Sequence, residues 1–163
     1  GQEWGIMTRM RRSAAFRQDV TLQAQSLLEV QTEGQGFCDI TREAGAFLTE
    51  AGAGTGLLTV FCRHTSASLA IQENADPDVQ HDLLTALDRL APRNFSWVHH
   101  LEGPDDMPAH VRTLVTGTSL SIPVLDGRMR LGTWQALYVL EHRDRPHRRE
   151  IVLLFTGQGV DSR

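Results

Sequence analysis

The chain has 163 residues, 40% hydrophobic and 22% charged, with a net charge of -4 when histidine is neutral. Such a length suits one domain with a hydrophobic core, and the composition is far from that of disordered chains. The acidic balance gives no basic footprint for nucleic acid, and no segment approaches the roughly 20 consecutive apolar residues of a membrane span. Neither nucleic acid nor membrane is expected as a partner, and the expected location is cytoplasmic.

Gly1 to Arg12 show no hydrophobic period. Residues 1–15 are expected to be a disordered or vector-derived leader, and residues 16–163 a single domain. Cys38 and Cys62 form no CxxC pair. Two cysteines are too few for a disulfide scaffold, so free, buried thiols are expected.

From Asp19 to Thr32, Val20, Leu22, Ala24, Leu28 and Val30 alternate with polar residues, which predicts an opening hairpin. Asp39 then caps a helix whose apolar face is Ile40, Ala44, Phe47 and Leu48, ended by Gly52 and Gly54. Leu57 to Arg63 reads as a buried strand delivering His64-Thr65-Ser66, and Ser68 to Gln72 as a second strand. Asp76-Pro77 opens a helix with the stripe Val79, Leu83, Leu84, Leu87 and Leu90, stopped by Pro92. Ala109 to Val115 predicts a short helix closed by Gly117. Strands follow at Leu120–Leu125, from Arg128 after an Asp126-Gly127 hairpin turn, at Trp134–Glu141 and at Glu150–Thr156. The order is ββα-ββαα-ββββ. This implies an α+β fold with mixed or antiparallel sheets and about three helices.

Two polar clusters stand out. His64-Thr65-Ser66 and Glu73-Asn74-Ala75-Asp76 flank one short apolar segment, so both are expected at the same end of the sheet. Asp76 serves either as a helix cap alone or as a cap that also faces a site. In the second cluster, His99, His100, Glu102, Asp105, Asp106 and His110 place three imidazoles and three carboxylates within twelve residues. That density favours a divalent cation held by His99, His110 and a carboxylate, although the spacing is no known signature. Asp105 and Asp106 read equally as helix-entry residues. They would repel a bare phosphate at the helix N-terminus unless a cation lay between, which couples metal and phosphorylated ligand.

If extended, the chain turns only one of His99 and His100 inward. Gly132-Thr133-Trp134-Gln135 suits either a heteroaromatic ligand or core packing by Trp134. Glu141-His142-Arg143 is expected to be a solvated edge cluster. Arg145, Arg148 and Arg149 form a solvated turn or receive phosphate.

Four blocks in this order resemble the YjbQ-like family, also called secondary thiamine-phosphate synthases. They are His64-Thr65-Ser66-Ala67-Ser68-Leu69, Glu73-Asn74-Ala75-Asp76-Pro77-Asp78-Val79, His99-x-x-Glu102-Gly103-Pro104-Asp105-Asp106-Met107-Pro108-Ala109-His110 and Leu131-Gly132-Thr133-Trp134-Gln135. The resemblance covers Phe16 to Gly157. Trp97 stands where a tyrosine is common.

The resemblance implies a compact homotrimer with its polar clusters in a cleft for metal ions or anions. It also implies a weak or secondary activity joining hydroxymethylpyrimidine pyrophosphate to thiazole phosphate with release of pyrophosphate. On that basis His64, Glu73, Asn74, Asp76 and Glu102 are candidate catalytic residues. Thr65, Ser66, Asp106, Thr133, Trp134 and Gln135 are candidate substrate contacts. His99 and His110 are candidate ligands of a divalent ion, Zn, Mg or similar. A metal-dependent hydrolase and a non-catalytic metal- or metabolite-binding trimer are the competing functions.

Overall fold

A computed structural model of the chain describes residues 8–160. The expected leader lies partly outside that range; residues 8–15 are exposed and have no regular secondary structure. The elements are β1 (Leu22–Gln31), β2 (Gly36–Asp39), α1 (Thr41–Glu50), β3 (Ala53–Cys62), β4 (Ala67–Glu73), α2 (Pro77–Leu90), α3 (Asp106–Thr116), β5 (Ser119–Leu125), β6 (Arg128–Met129), β7 (Gln135–Glu141) and β8 (Arg148–Gly159). They form one α+β domain with a five-stranded sheet, β1-β8-β3-β5-β6, and a three-stranded sheet, β2-β7-β4. Every strand pair is antiparallel. No helix among the described residues is long and apolar enough to cross a membrane.

Alternation decides which side chains enter the core. Leu58, Val60 and Cys62 of β3 and Ile151, Leu153 and Phe155 of β8 turn inward to meet Leu69 of β4, Leu137 and Val139 of β7, and the α1 face Ala44, Phe47 and Leu48. The opposite face of β7 carries Ala136, Tyr138 and Leu140 against Phe37 and Ala70. Buried on both faces, β7 reads as a continuous apolar run. Asp126 (φ 50°) and Gly127 (φ 82°) make the expected tight hairpin, the two positive φ values matching a type I′ turn.

Several predicted boundaries change, among them the start of β3, at Ala53 rather than Leu57. Residues 19–32 hold one strand, not a hairpin: Leu22 to Gln31 pairs without interruption with Gly157 to Arg148, and no turn-forming pair breaks it. The turn comes later, at Gly34 (φ 123°) and Gly36 (φ 154°), and sends β2 into the other sheet. Helix α3 begins at Asp106 rather than Ala109, because Pro108 falls in the first turn, where a missing N–H breaks no helical bond. This brings Asp106 onto the helix, one turn before His110.

Candidate metal centre

Asp106 and His110 stand four residues apart on α3 and therefore share a face. Their side chains meet: His110 Nε2 lies 3.1 Å from Asp106 Oδ2. His99, from the irregular loop between α2 and α3, brings its Nε2 to 2.6 Å from the same oxygen. His100 is exposed, its Nδ1 bonded to the carbonyl of Val98, so of the adjacent pair His99 is the inward residue. The ligand atoms of His99, Asp106 and His110 all lie within 4.8 Å of one another.

The tautomer of His110 decides what this cluster can do. Its Nδ1–H donates to the carbonyl oxygen of Thr65 at 2.8 Å. In the neutral ring Nε2 then carries a lone pair aimed at a carboxylate oxygen, and two acceptors face each other. Only a cation between them, a proton or a metal ion, makes that contact favourable. Donors around a tetrahedral zinc stand roughly 3.4 Å apart. The His110–Asp106 separation of 3.1 Å is near this, while His99 at 2.6 Å stands at direct hydrogen-bond distance and would move outward to admit an ion. Two imidazoles with one carboxylate are a common donor set for zinc and related ions. The residues present therefore fit a divalent metal.

Asp106 is only 3% exposed. Burial alone would raise its carboxyl, but the hydrogen bond from His99, the neighbouring His110 and the Arg143 guanidinium outweigh it and hold the group below the usual carboxylate range. Asp105 behaves alike: burial raises it, while Arg143 and the Asp144 N–H lower it further.

Beside the triad a cleft of about 780 Å³ runs between α3 and the end of β3, walled by Phe61, Met107, Val111 and Leu114 and bordered by His64, Thr65 and His110. Its size falls in the range of small-molecule sites. His64 Nε2 accepts the N–H of Glu150 at 2.8 Å, so the neutral ring holds its proton on Nδ1 and has no free lone pair for a base. Burial, seconded by Arg149, keeps this imidazole below its ordinary range against the pull of Glu150 and Glu141. Ser66 instead accepts a hydrogen bond from Arg149 through its Oγ.

The two polar clusters expected at one end of the sheet lie at opposite ends of β4. His64 to Ser66 precede that strand, whereas Glu73 is its last residue and Asn74 to Asp76 follow it, so its seven extended residues hold Ser66 and Glu73 apart by roughly 20 Å. In the second group, Glu73 Oε2 accepts the N–H of Asp76, and Asp76 Oδ1 accepts that of Asp78, so both serve the start of α2. The N–H of exposed Asn74 pairs with the carbonyl of Trp134. Trp134 belongs to a turn, not to β7, and is 63% exposed, so it is not core packing. Thr133 is exposed beside it, and Gln135 folds its Oε1 back onto the N–H of Gly132. Glu102 is exposed, and among the described residues its carboxylate has no partner.

Sequence reasoning missed the basic side of the centre. Glu141 (1% exposed), His142 and Arg149 are buried rather than solvated, because Arg149 forms a two-pronged pair with Glu141 through Nε (2.8 Å) and Nη2 (2.5 Å). Arg143 likewise leaves solvent and binds Asp105 and Asp106. The signal available was the run of three ionisable residues ending an otherwise apolar strand. Cys38 and Cys62 are free thiols, Cys62 buried and Cys38 half-buried.

A UPF0047 protein of Synechocystis sp. is 46% identical to this chain over 147 residues, covering 90% of it and 97% of the relative. The UPF0047 protein YjbQ of Escherichia coli O157:H7 is 38% identical, covering 82% and 98%. The crystal structure of a hypothetical protein from Aeropyrum pernix K1 superposes with a TM-score of 0.76 at 32% identity, covering 83% of this chain and 99% of that one. The chain thus belongs to the family described as UPF0047 protein YjbQ-like, whose model matches residues 26–158.

Proposed function

We propose that His99, Asp106 and His110 hold a divalent cation, and that this centre and its adjoining cleft act on a small phosphorylated substrate. The observation that carries the reading is the bare Nε2 of His110 facing Asp106 Oδ2, a pair of acceptors completed by a cation. Two imidazole ligands favour zinc or a similar transition ion over magnesium.

The reaction implied by the family resemblance is the thiamine-phosphate synthase transfer. The thiazole ring nitrogen gives its lone pair to the methylene carbon of the pyrimidine, and the C–N bond forms as the C–O bond to pyrophosphate breaks. Pyrophosphate departs with that electron pair, and no proton needs to move. A cation bound at the triad would neutralise the charge gathering on the leaving group. The chain's own share is positional: Phe61, Met107 and Leu114 offer apolar walls against a ring, and His64 offers an N–H rather than a base.

Within one chain, Glu73, Asn74, Asp76, Thr133, Trp134 and Gln135 do not reach this centre. Their part in a site depends on a neighbouring copy. Assembly as a homotrimer is supported by apolar side chains left exposed on the outer face of β3, Leu57 and Phe61, and on α3, Leu114 and Val115.

Metal analysis of the purified protein, followed by complementation of a thiamine auxotroph, tests the proposal. Zinc or a related ion is expected to copurify or rebind. The wild-type gene is expected to restore growth, whereas His99→Ala and His110→Ala do not. No metal bound, or growth unaffected by either substitution, removes the assigned site. Metal binding without complementation favours the hydrolase or binding-protein alternative.

A further inference from the structure

Arg143 sits in the turn between β7 and β8, far in sequence from the triad, yet its guanidinium is used on several sides. Nη1 donates to Asp106 Oδ1 (2.6 Å), Nε to Asp105 Oδ2 (2.9 Å), and Nη2 to the carbonyl of Glu102 (3.0 Å). Asp105 Oδ2 also accepts the N–H of Asp144 at 3.0 Å. The Asp144 carboxylate is in turn clasped by both terminal nitrogens of Arg93, at the start of the loop that carries His99. That loop is therefore tied to the β7–β8 turn near both of its ends. Gly103 makes the closer tie possible. Its φ is 104°, and a Cβ there would meet Asp105 Oδ1 at 3.0 Å and approach Arg143 Nη2 at 3.9 Å.

Two carboxylates in succession, both under 10% exposed, would repel each other and any loop folded over them. One guanidinium offsets one of the two charges and leaves the pair with a net single negative charge. Geometry divides the remaining oxygens. Asp105 is consumed by the turn, Asp106 Oδ1 by Arg143, and Asp106 Oδ2 alone meets the imidazoles.

We propose that Arg143 is the positioning residue of the metal centre: it fixes which oxygen of Asp106 faces His99 and His110, and anchors the loop that delivers His99. The inference rests on the metal reading above. It assigns to Arg143 the second-layer support that metal-bound carboxylates generally receive. A lysine cannot replace it, since a single ammonium lacks the fork that spans Asp105, Asp106 and a carbonyl.

The test is titration of the full-length apo protein with Co(II), read by visible absorption, and zinc affinity by chelator competition. Wild type, Arg143→Met, Arg143→Lys and Arg148→Gln are compared, the last as an exposed control that loses the same charge. Arg148→Gln is expected to match wild type. Arg143→Met is expected to bind about 10- to 100-fold more weakly. Arg143→Lys is expected to be weakened as well, with a Co(II) spectrum shifted from wild type, a change that loss of stability alone would not produce. If Arg143→Met does not fold, Arg143→Lys decides. Wild-type affinity and spectrum in a folded Arg143 variant overturn the positioning role and leave the metal reading standing. Failure of wild type to bind either ion overturns both.

Discussion

His110 donates its Nδ1 proton to the carbonyl of Thr65 across 2.8 Å, tying α3 to the segment that leaves β3. The bond is made to backbone, so it selects the ring tautomer whatever side chain stands at position 65. Substitution at Thr65 should accordingly leave metal affinity close to wild type.

Removing the ring should not. His110→Ala takes away a proposed ligand and is expected to weaken zinc binding by more than the roughly 100-fold that bounds loss of a supporting residue. Chelator competition measures this, and a change within twofold would show that His110 is no ligand.

The Glu141–Arg149 pair is buried and fully engaged. Glu141 Oε1 also accepts from Thr32 Oγ1 at 2.6 Å, and Oε2 from the N–H of Arg143 at 3.1 Å. Arg149→Met leaves the carboxylate charged and desolvated, and is expected to cost about 3–5 kcal/mol in urea unfolding. Pairing it with Glu141→Leu should recover most of the loss. A single-variant cost below about 1 kcal/mol would contradict the burial of this pair.

Why the triad was legible and its supports were not follows from sequence distance. Asp106 and His110 are one helical turn apart, and His99 is seven residues before Asp106, so local spacing alone brings them together. Arg143 reaches Asp105 and Asp106 across 38 and 37 residues, and Thr32 reaches Glu141 across 109, contacts that only sheet pairing creates. Charged residues at a strand end read as solvated for want of a visible partner. The false proximity of Ser66 and Glu73 had another cause: β4 between them is fully extended and carries its flanks apart. Alternation and capping, by contrast, placed α2 and the Asp126-Gly127 turn with little error.

Gly56 and Gly157 face each other where β3 crosses β8. A Cβ on Gly157 would come within 2.6 Å of the Gly56 Cα and 2.8 Å of the Phe155 ring, backbone on one side and core on the other. Neither neighbour can withdraw without breaking the sheet. Gly157→Ala is expected to destabilise the fold by about 3 kcal/mol or more, the upper end of overpacking effects. Thermal melting within a degree or two of wild type would refute it.

Asp76 offers a cleaner separation of roles. Its Oδ1 accepts the Asp78 N–H at 2.9 Å, a helix N-cap. Asp76→Ala is expected to cost about 1 kcal/mol. Zinc affinity, read in parallel, should be unchanged, and a fall in affinity larger than that in stability would place Asp76 in the centre after all.

His142 predicts how the fold responds to acid. It is 2% exposed, its Nε2 bonds Ser68 Oγ at 2.8 Å, and among the described residues its Nδ1 has no partner. A second ring proton would find no acceptor. Burial, together with the charges of Arg112 and Arg149 and against that of Glu141, pushes the imidazole from 6.5 down to about 4. The unfolded chain takes up this proton near pH 6.5 and the folded chain only near pH 4. The stability contributed by the neutral ring is therefore complete above about pH 6.5 and is lost as pH falls toward 4, amounting to about 3 kcal/mol across the window. His142→Gln removes the titration while keeping a polar group beside Ser68. Between pH 7 and 4.5, wild type should lose about 2–3 kcal/mol more than this variant, because the other titrating groups are common to both. Parallel losses in urea unfolding would show that His142 is not the group held neutral.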